Sequence, residues 1–459
     1  MLRNIFNTFS NCFKIPELKS RILFTLALLA VCRLMTYLVI PGLNGQALSD
    51  YFDNNRHGVA GLVGMYNAFS GGGLYNCAIG ALGIMPYISA TIIIQLLTAV
   101  VPQLSKLARE EGGRAKIVQY GRYLTVPICI GQGWYFASSW EHPEKMFQGF
   151  NGSLVSIDNQ FLYLFMAITF MTTSTLLMMW LGEQISERGV GNGVSLVITV
   201  GIVARLPFAV QGVGDMFFGE NATHSFIGTG IPLILLLALV IGGVIAVTQA
   251  QRKVPVQYAQ RAVGRKLYSG GTSFMPLRVN YSGVMPIIFA QSILMFIQPI
   301  FQALANFFTV PFLRDFFTSL ATQFNYGLLY LVVYGLMILF FSYFWVATQF
   351  NEIQIADDLK KNGGYIPGVR PGQGTSDYLH KAMSRITLAG AIFLTVIAVL
   401  PIILSRRMEV TQDVAQFFGG TSMLITVGVL LDTMRQVESH LMMRHYDGFL
   451  KRGRLRGRF

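Results

Sequence analysis

Charged side chains are scarce in this sequence. Only 12% of its 459 residues are Asp, Glu, Lys or Arg, against about 25% in a soluble globular chain. So few charges cannot furnish a water-facing surface, and a soluble globular protein is excluded. The scarcity is uneven in sign, because 35 Lys and Arg against 22 Asp and Glu leave a net charge of +13. Cysteine is rare as well. Cys12, Cys32, Cys77 and Cys129 show no paired spacing, which excludes a disulfide framework and a cysteine metal motif. No glycine-rich loop ends in Gly-Lys-Ser or Gly-Lys-Thr, so that class of nucleotide site is absent and no cofactor is expected. A small-residue cleavage site is also missing. The first apolar run leads into Ile40-Pro41-Gly42, so the first helix is expected to stay attached.

Apolar sequence is what the chain has in quantity: 53% of residues are hydrophobic and the mean hydropathy is +0.51. A helix that crosses a bilayer needs about 20 apolar residues. Ten stretches qualify, at residues 22–40, 77–101, 123–140, 161–181, 190–210, 231–248, 283–304, 328–347, 386–404 and 417–434. Ten spans place both termini on one side. Twenty-eight of the 35 Lys and Arg residues fall in segments on that side and six on the other. Positive charge accumulates on the cytoplasmic side, so both termini are expected in the cytoplasm. Before the first span, Leu2, Ile5, Phe6, Phe9 and Phe13 recur at helical spacing, which reads as a short amphipathic helix in the headgroup plane.

The chain repeats itself. Gly83-Ile84-Met85-Pro86-Tyr87-Ile88 opens one apolar run and Gly283-Val284-Met285-Pro286-Ile287-Ile288 opens another. The loop before the first run holds one basic residue, Arg56, and the loop after it holds five. Around the second run the order reverses, with six before and one, Arg314, after. The two copies are therefore expected to cross the membrane in opposite directions, as in proteins that carry something through the bilayer between inverted halves. The predicted fold is an all-α polytopic membrane protein with ten transmembrane helices in two inverted five-helix halves. Residues 1–21 form a cytoplasmic amphipathic segment, 22–210 the first half, 211–434 the second, and 435–459 a basic cytoplasmic tail.

Two function classes compete with a channel for large cargo. A secondary transporter of a small solute also uses inverted repeats, but it needs a polar site near mid-membrane. Here the intramembrane charges sit mostly at span ends: Arg33 lies inside the first span, Glu183 ends the fourth, Arg205 is toward the end of the fifth, and Asp432 nears the end of the tenth. An intramembrane enzyme needs convergent catalytic groups. All six histidines fall in loops or tails, and no enzymatic activity is expected.

Five motifs carry a resemblance. They are Gly83-Ile84-Met85-Pro86-Tyr87-Ile88-Ser89-Ala90, the run Trp180 to Gly193 (Trp-Leu-Gly-Glu-Gln-Ile-Ser-Glu-Arg-Gly-Val-Gly-Asn-Gly), Pro276-Leu277-Arg278-Val279-Asn280, Ile366-Pro367-Gly368-Val369-Arg370-Pro371-Gly372, and Phe418-Gly419-Gly420-Thr421-Ser422. Together and in this order they resemble the SecY family, whose members form the central channel subunit of the bacterial Sec protein translocase. The sequence departs from the family at Asn351-Glu352, where Asn-Pro is usual, and at Arg278, where Lys is usual.

The resemblance implies a protein-conducting channel in the bacterial inner membrane. It would pass unfolded polypeptides across and release hydrophobic segments sideways into lipid. Ile84, Ile88, Val194, Ile198, Ile288 and Ile425 would form an apolar pore ring that excludes water and ions when empty, and Val194 in place of the commoner Ile would leave the waist slightly wider. On the residues alone, packing or lipid-facing roles are more usual for these positions. A plug is implied at about residues 59–73, including Val59, Leu62, Val63, Met65, Phe69, Gly71 and Gly72, with Ser70-Gly71-Gly72-Gly73 as a flexible hinge; residues alone also allow an interfacial re-entrant piece. Spans two and seven would border a lateral gate, where Gln95, Gln132 and Ser292 either bond across the seam or hold other helices together.

The segments 249–282 and 348–385 are longer than topology requires. The family uses them to bind a motor and the ribosome, which implies contacts by Arg252, Lys253, Arg261, Arg265, Lys266, Lys360, Lys361 and Arg370. Their clustered cations suit ribosomal RNA phosphate without sequence preference. The tail from Lys451 to Arg458 suits the same partner or anionic lipid. Implied partners are SecE-like and SecG-like subunits, the SecA motor ATPase, the ribosome, substrate signal sequences and anionic lipids.

Overall fold

The computed structural model describes residues 15–54, 66–67, 69–110, 112–143, 150, 152–218, 230–258, 261–263, 266–268, 271–308, 310–324, 327–407, 414 and 421–452. The amphipathic N-terminal stretch and the tail from Gly453 onward lie outside them. The chain packs into two compact units, one of Met1–Thr223 with Thr411–Phe417 and Val429–Phe459, the other of His224–Val410 with Phe418–Gly428.

The first unit contains α1 (Pro16–Leu34), α2 (Gly45–Asn54), α3 (Met85–Val100), α4 (Pro102–Arg109), α5 (Gly113–Glu141), α6 (Gln160–Arg188), α7 (Gly193–Val203) and α8 (Leu206–Phe218). Helix α3 packs on α5, α5 on α6, and α6 on both α1 and α7. The starts follow local chemistry. Pro16, Pro86 and Pro102 occupy first-turn positions, where a missing N–H costs nothing. Asn159 and Asn192 cap α6 and α7, their side-chain oxygens accepting from Leu162 N and Ser195 N at 3.3 Å each. Such caps satisfy a backbone donor that the helix cannot. Helices α6 and α7 meet across glycine: a Cβ on Gly193 would strike the Gly182 carbonyl. Small residues at such seams let backbones approach where burial gives little drive for association. Tyr163 of α6 is buried and donates to the Ala137 carbonyl of α5 at 3.1 Å.

The second unit contains α9 (Ile231–Gln249), β1 (Gln251–Tyr258), β2 (Arg261–Val263), β3 (Lys266–Tyr268), β4 (Thr272–Arg278), α10 (Met285–Phe307), α11 (Pro311–Gln323), α12 (Leu328–Gln349), α13 (Glu352–Lys361), β5 (Gly364–Tyr365) and α14 (Gln373–Arg407). The last helix, α15 (Thr421–Arg452), starts among this unit's residues and continues among those of the first. Helix α10 packs on α11 and α12, and α14 packs on α9, α12 and α13. Phenylalanines hold α11 against α10, with Phe308 stacked on Phe317 at 5.5 Å and Phe301 edge-on to Phe324 at 5.4 Å.

Each of the ten predicted spans overlaps a described helix. Among the described residues, five helical stretches are long and apolar enough to cross a membrane, with α7–α8 and α12–α13 each counted as one, or six when α3 and α4, bent by 103°, count as one. Three features differ from expectation. The first helix ends at Leu34, and residues 77–84 are turns, not the start of span two. Cys77 (φ 47°) and Gly83 (φ 57°) are left-handed, which an α-helix does not admit. This segment pairs instead with the chain leaving α1, through Ile40 N to Cys77 O (3.0 Å), Ile79 N to Leu38 O (2.8 Å) and Gly80 N to Met35 O (3.0 Å). The fifth span is interrupted at Ala204 and Arg205, between α7 and α8. The third is a small sheet within the otherwise helical fold.

Segment 249–282 is not a free loop. Strands β1 and β4 form an antiparallel hairpin in register from Gln251 with Arg278 to Gln257 with Thr272, and β5 adds to the far end of β1. Val254 and Val256 alternate inward, as strand geometry requires. They meet Leu277, Ile366, Leu379, Met383 and Ile386, with Phe350 and Val346 of the α12 end, in one buried core. The two long segments therefore build a packed platform on helices α13 and α14.

Candidate functional site

The site begins with the repeated motif. Gly83 has φ 57° and Gly283 φ 63°; the residues that follow, Ile84 and Val284, have φ/ψ of −94°/1° and −96°/−3°. Helix begins at Met85 and at Met285, with Pro86 and Pro286 in the first turns. Ile88 N donates to Ile84 O at 3.2 Å, and Ile288 N donates to Val284 O at 3.3 Å. Similar sequence yields the same backbone twice: a left-handed glycine, a bridging residue, then helix. Glycine takes positive φ at little cost, which sets where each helix can start.

In the first unit, Ile84 and Val194 converge. A Cβ on Gly182 would lie 3.5 Å from Ile84 Cδ1 and 3.6 Å from Val194 Cγ2. Ile84, Ile88 and Ile198 are buried, whereas Val194 is half-buried. In the second unit, Ile288 and Ile425 are buried. Helix α15 lies against the start of α10, because a Cβ on Gly428 would strike Val284 Cγ1. Ile425 is one helical turn before Gly428. Each unit thus holds branched aliphatics at a glycine-seated helix start.

Of the predicted plug residues, Val59, Leu62, Val63 and Met65 lie outside the described residues. Phe69 is buried. The glycine run after it is not a loose hinge. Gly71 (φ 69°) and Gly72 (φ 94°) form a tight turn, closed by Gly72 N donating to Asn67 O at 2.8 Å and Tyr75 N donating to Asn67 Oδ1 at 3.1 Å. Close approach explains the glycines here: a Cβ on Gly73 would sit 2.9 Å from the Gly80 carbonyl oxygen. Arg33 reaches this turn from α1. Its Nη1 donates to Gly71 O at 2.7 Å and its Nη2 to Tyr37 Oη at 3.1 Å.

Two of the three gate candidates have polar atoms engaged within their own unit. Gln132 Oε1 lies 3.4 Å from Tyr66 Oη, which also donates to Leu82 O at 3.1 Å. Ser292 Oγ donates to Ile288 O at 2.8 Å, in its own helix. Gln95 is half-buried on α3. A cluster that sequence reasoning missed ties three helices of the first unit. Glu183 of α6 receives Arg122 Nε and Nη2 of α5 at 2.9 Å each, and Tyr87 Oη of α3 at 3.3 Å. In sequence Glu183 is a charge at the end of the fourth span, and its pairing with Arg122 needs helices that lie side by side only after folding.

On the platform, Arg252, Lys253, Lys360, Lys361 and Arg370 are exposed. Arg261 lies on β2 and Lys266 on β3, and Arg265 is outside the described residues. The Arg370 turn is braced. Ile366 is buried in the platform core, Thr375 Oγ1 donates to Arg370 O at 3.1 Å, and Ser376 N donates to Gly372 O at 3.1 Å. Lys360 Nζ lies beside this turn, 3.9 Å from where a Gly372 Cβ would stand. Arg370 thus stands on a braced turn that Lys360 borders.

Residues 78–434 match the family described as SecY. The chain belongs to the SecY family. The protein translocase subunit SecY of Chlamydia trachomatis is 40% identical over 98% of this chain and 99% of that protein. The fold matches a solved protein-conducting channel with a TM-score of 0.58 at 16% identity, over 95% of this chain and 94% of the other. It also matches, with a TM-score of 0.56 at 17% identity and over the same shares of each chain, a SecY structure described by its plug domain, which stabilises the closed state of that channel and maintains a membrane seal. Within the SecY family the Asn351-Glu352 departure has a physical account. Asn351 caps α13, its Oδ1 accepting from Gln354 N at 3.1 Å. Glu352 fills the first helical position, a place proline also suits. A carboxylate is favoured there by the helix dipole, and this one lies 2.9 Å from His380 Nδ1.

Proposed function

We propose that this chain is the polypeptide-conducting subunit of a bacterial inner-membrane translocase, with both termini in the cytoplasm. The observation that carries the reading is the duplicated glycine-to-helix turn, one copy per unit, each presenting buried aliphatics at the start of an apolar helix. Ile84, Ile88, Val194 and Ile198 from one half and Ile288 and Ile425 from the other form the throat. These six side chains offer no polar group, so side chains of any kind pass, while an empty throat stays dry. This chemistry does not suit a small-solute transporter, which needs polar ligands for its cargo. The segment near residues 59–73 is the plug, and α3 and α10 border the lateral exit for hydrophobic segments. The basic platform docks the SecA motor or the ribosome, and SecE-like and SecG-like subunits complete the assembly.

The test is translocation by the purified complex. Vesicles containing this chain with its co-purified subunits, supplied with motor and ATP, are expected to protect an added unfolded secretory polypeptide from external protease. Protection that is equal without the motor, or absent from active complexes, contradicts the reading.

A further inference from the structure

The sequence marks Arg33 as an oddity, a guanidinium within the first span. The structure gives it a task. Arg33 stands in the last turn of α1, where the helix dipole favours a cation. Its planar fork divides between the Gly71 carbonyl at 2.7 Å and Tyr37 Oη at 3.1 Å, and its Cζ lies 5.2 Å from the centre of the Tyr37 ring. A charged donor to a carbonyl is among the stronger hydrogen bonds. The same face of the turn also rests on α7, since a Cβ on Gly71 would meet both Arg33 Nη1 and Gly201 Cα. A Cβ on Gly201 would lie 3.3 Å from Gly71 Cα and 3.4 Å from Phe69 O. Gly201 is three residues from Ile198 on that helix. One face of the turn therefore meets both a guanidinium on α1 and a glycine shelf on the helix that bears Ile198. A cavity of about 20 Å³, bordered by Arg33, Ser70, Ile84 and Gly201, lies beside the contact. That is room for about one water.

The geometry points to Arg33 as the latch of the plug: a positioning residue that keeps the Gly71 turn on α7, and so keeps the plug seated while the throat is empty. The inference rests on the plug reading above. An entering polypeptide that displaces α7 takes the shelf from under Gly71. The Arg33 bond is then the charged tie that still joins Gly71 to α1, and its loss loosens the turn. Lysine cannot replace the arginine in full, because a compact ammonium cannot serve both the carbonyl and the phenol in this fork.

Two measurements on the whole reconstituted complex decide it. Hydrogen–deuterium exchange across residues 66–76 reads the turn directly. Planar-bilayer conductance of the resting channel reads the seal. Arg33→Gln is expected to lose protection in that segment and to raise resting conductance about tenfold, the factor that loss of one charge-assisted bond produces. Arg33→Lys is expected to fall between Arg33→Gln and the parent, and decides the matter if the glutamine variant does not assemble. A deletion of residues 59–65 tests the plug reading separately. If the deletion leaks while Arg33→Gln is protected and silent, the latch is wrong and the plug stands. If the deletion stays silent, the plug reading falls, and unchanged exchange in Arg33→Gln removes the latch independently.

Discussion

Serine in place of Ile84, Ile88, Ile198 and Ile288 together turns a silent resting channel into one that conducts ions. All four side chains are buried at the glycine-seated helix starts. Burying one such side chain favours a dry surrounding by roughly 1.5–3 kcal/mol, and every 1.4 kcal/mol is about tenfold in population. Four exchanges thus multiply the wetted state by several orders of magnitude, on the order of the full range between a sealed and a leaking neck. Planar-bilayer conductance of the purified complex checks this. Single replacements are expected to leak less, because three branched side chains of the proposed ring remain. Replacement of Leu336 or Leu388, both exposed on α12 and α14, is expected to leave the resting conductance unchanged. Quadruple variants that assemble normally and remain silent contradict the ring.

Arg370→Glu is expected to block motor-dependent export by at least about tenfold, equal to roughly 1.4 kcal/mol of lost docking, while insertion of the chain itself is nearly unaffected. The exposed guanidinium stands on a turn fixed by the buried Ile366 side chain and by the Thr375 and Ser376 hydrogen bonds. Charge reversal therefore changes the surface and leaves the core in place. It also puts a carboxylate on the turn that Lys360 borders, which offsets that cation's charge. Export rates in vesicles and the amount of variant in the membrane separate the two effects. Equal loss of both contradicts a docking role and points to misfolding.

Local chemistry made much of this molecule legible. Glycine followed two residues later by Met-Pro sets one backbone path, and that path recurs at Gly83 and Gly283 because the cause lies within five residues. Asn192 announces the start of α7 in the same way. The spans were legible because hydrocarbon demands long apolar runs, and the family was legible because its motifs are short and ordered. Features that depend on distant partners were not. Val254 and Val256 alternate over too short a stretch to distinguish a hairpin from a loop, and their burial depends on Ile366 and Met383 far down the chain. Arg33 and Gly71 are 38 residues apart, and Arg122 and Glu183 are 61 apart; no periodicity joins either pair. The glycine run at Ser70–Gly73 was read as flexible because glycine permits both looseness and tight turns. Only its neighbours decide which.

The most direct test of the throat places a photo-crosslinking residue at Ile84, Ile88, Ile198, Ile288 or Ile425, one at a time, and at Leu336 or Leu388 as controls. A secretory polypeptide is then stalled in transit by a folded domain at its trailing end, and the complex is illuminated. The account predicts adducts between the stalled chain and the throat positions of both units, with none at Leu336 or Leu388. Adducts at the two controls, together with none at the five isoleucines, would contradict it.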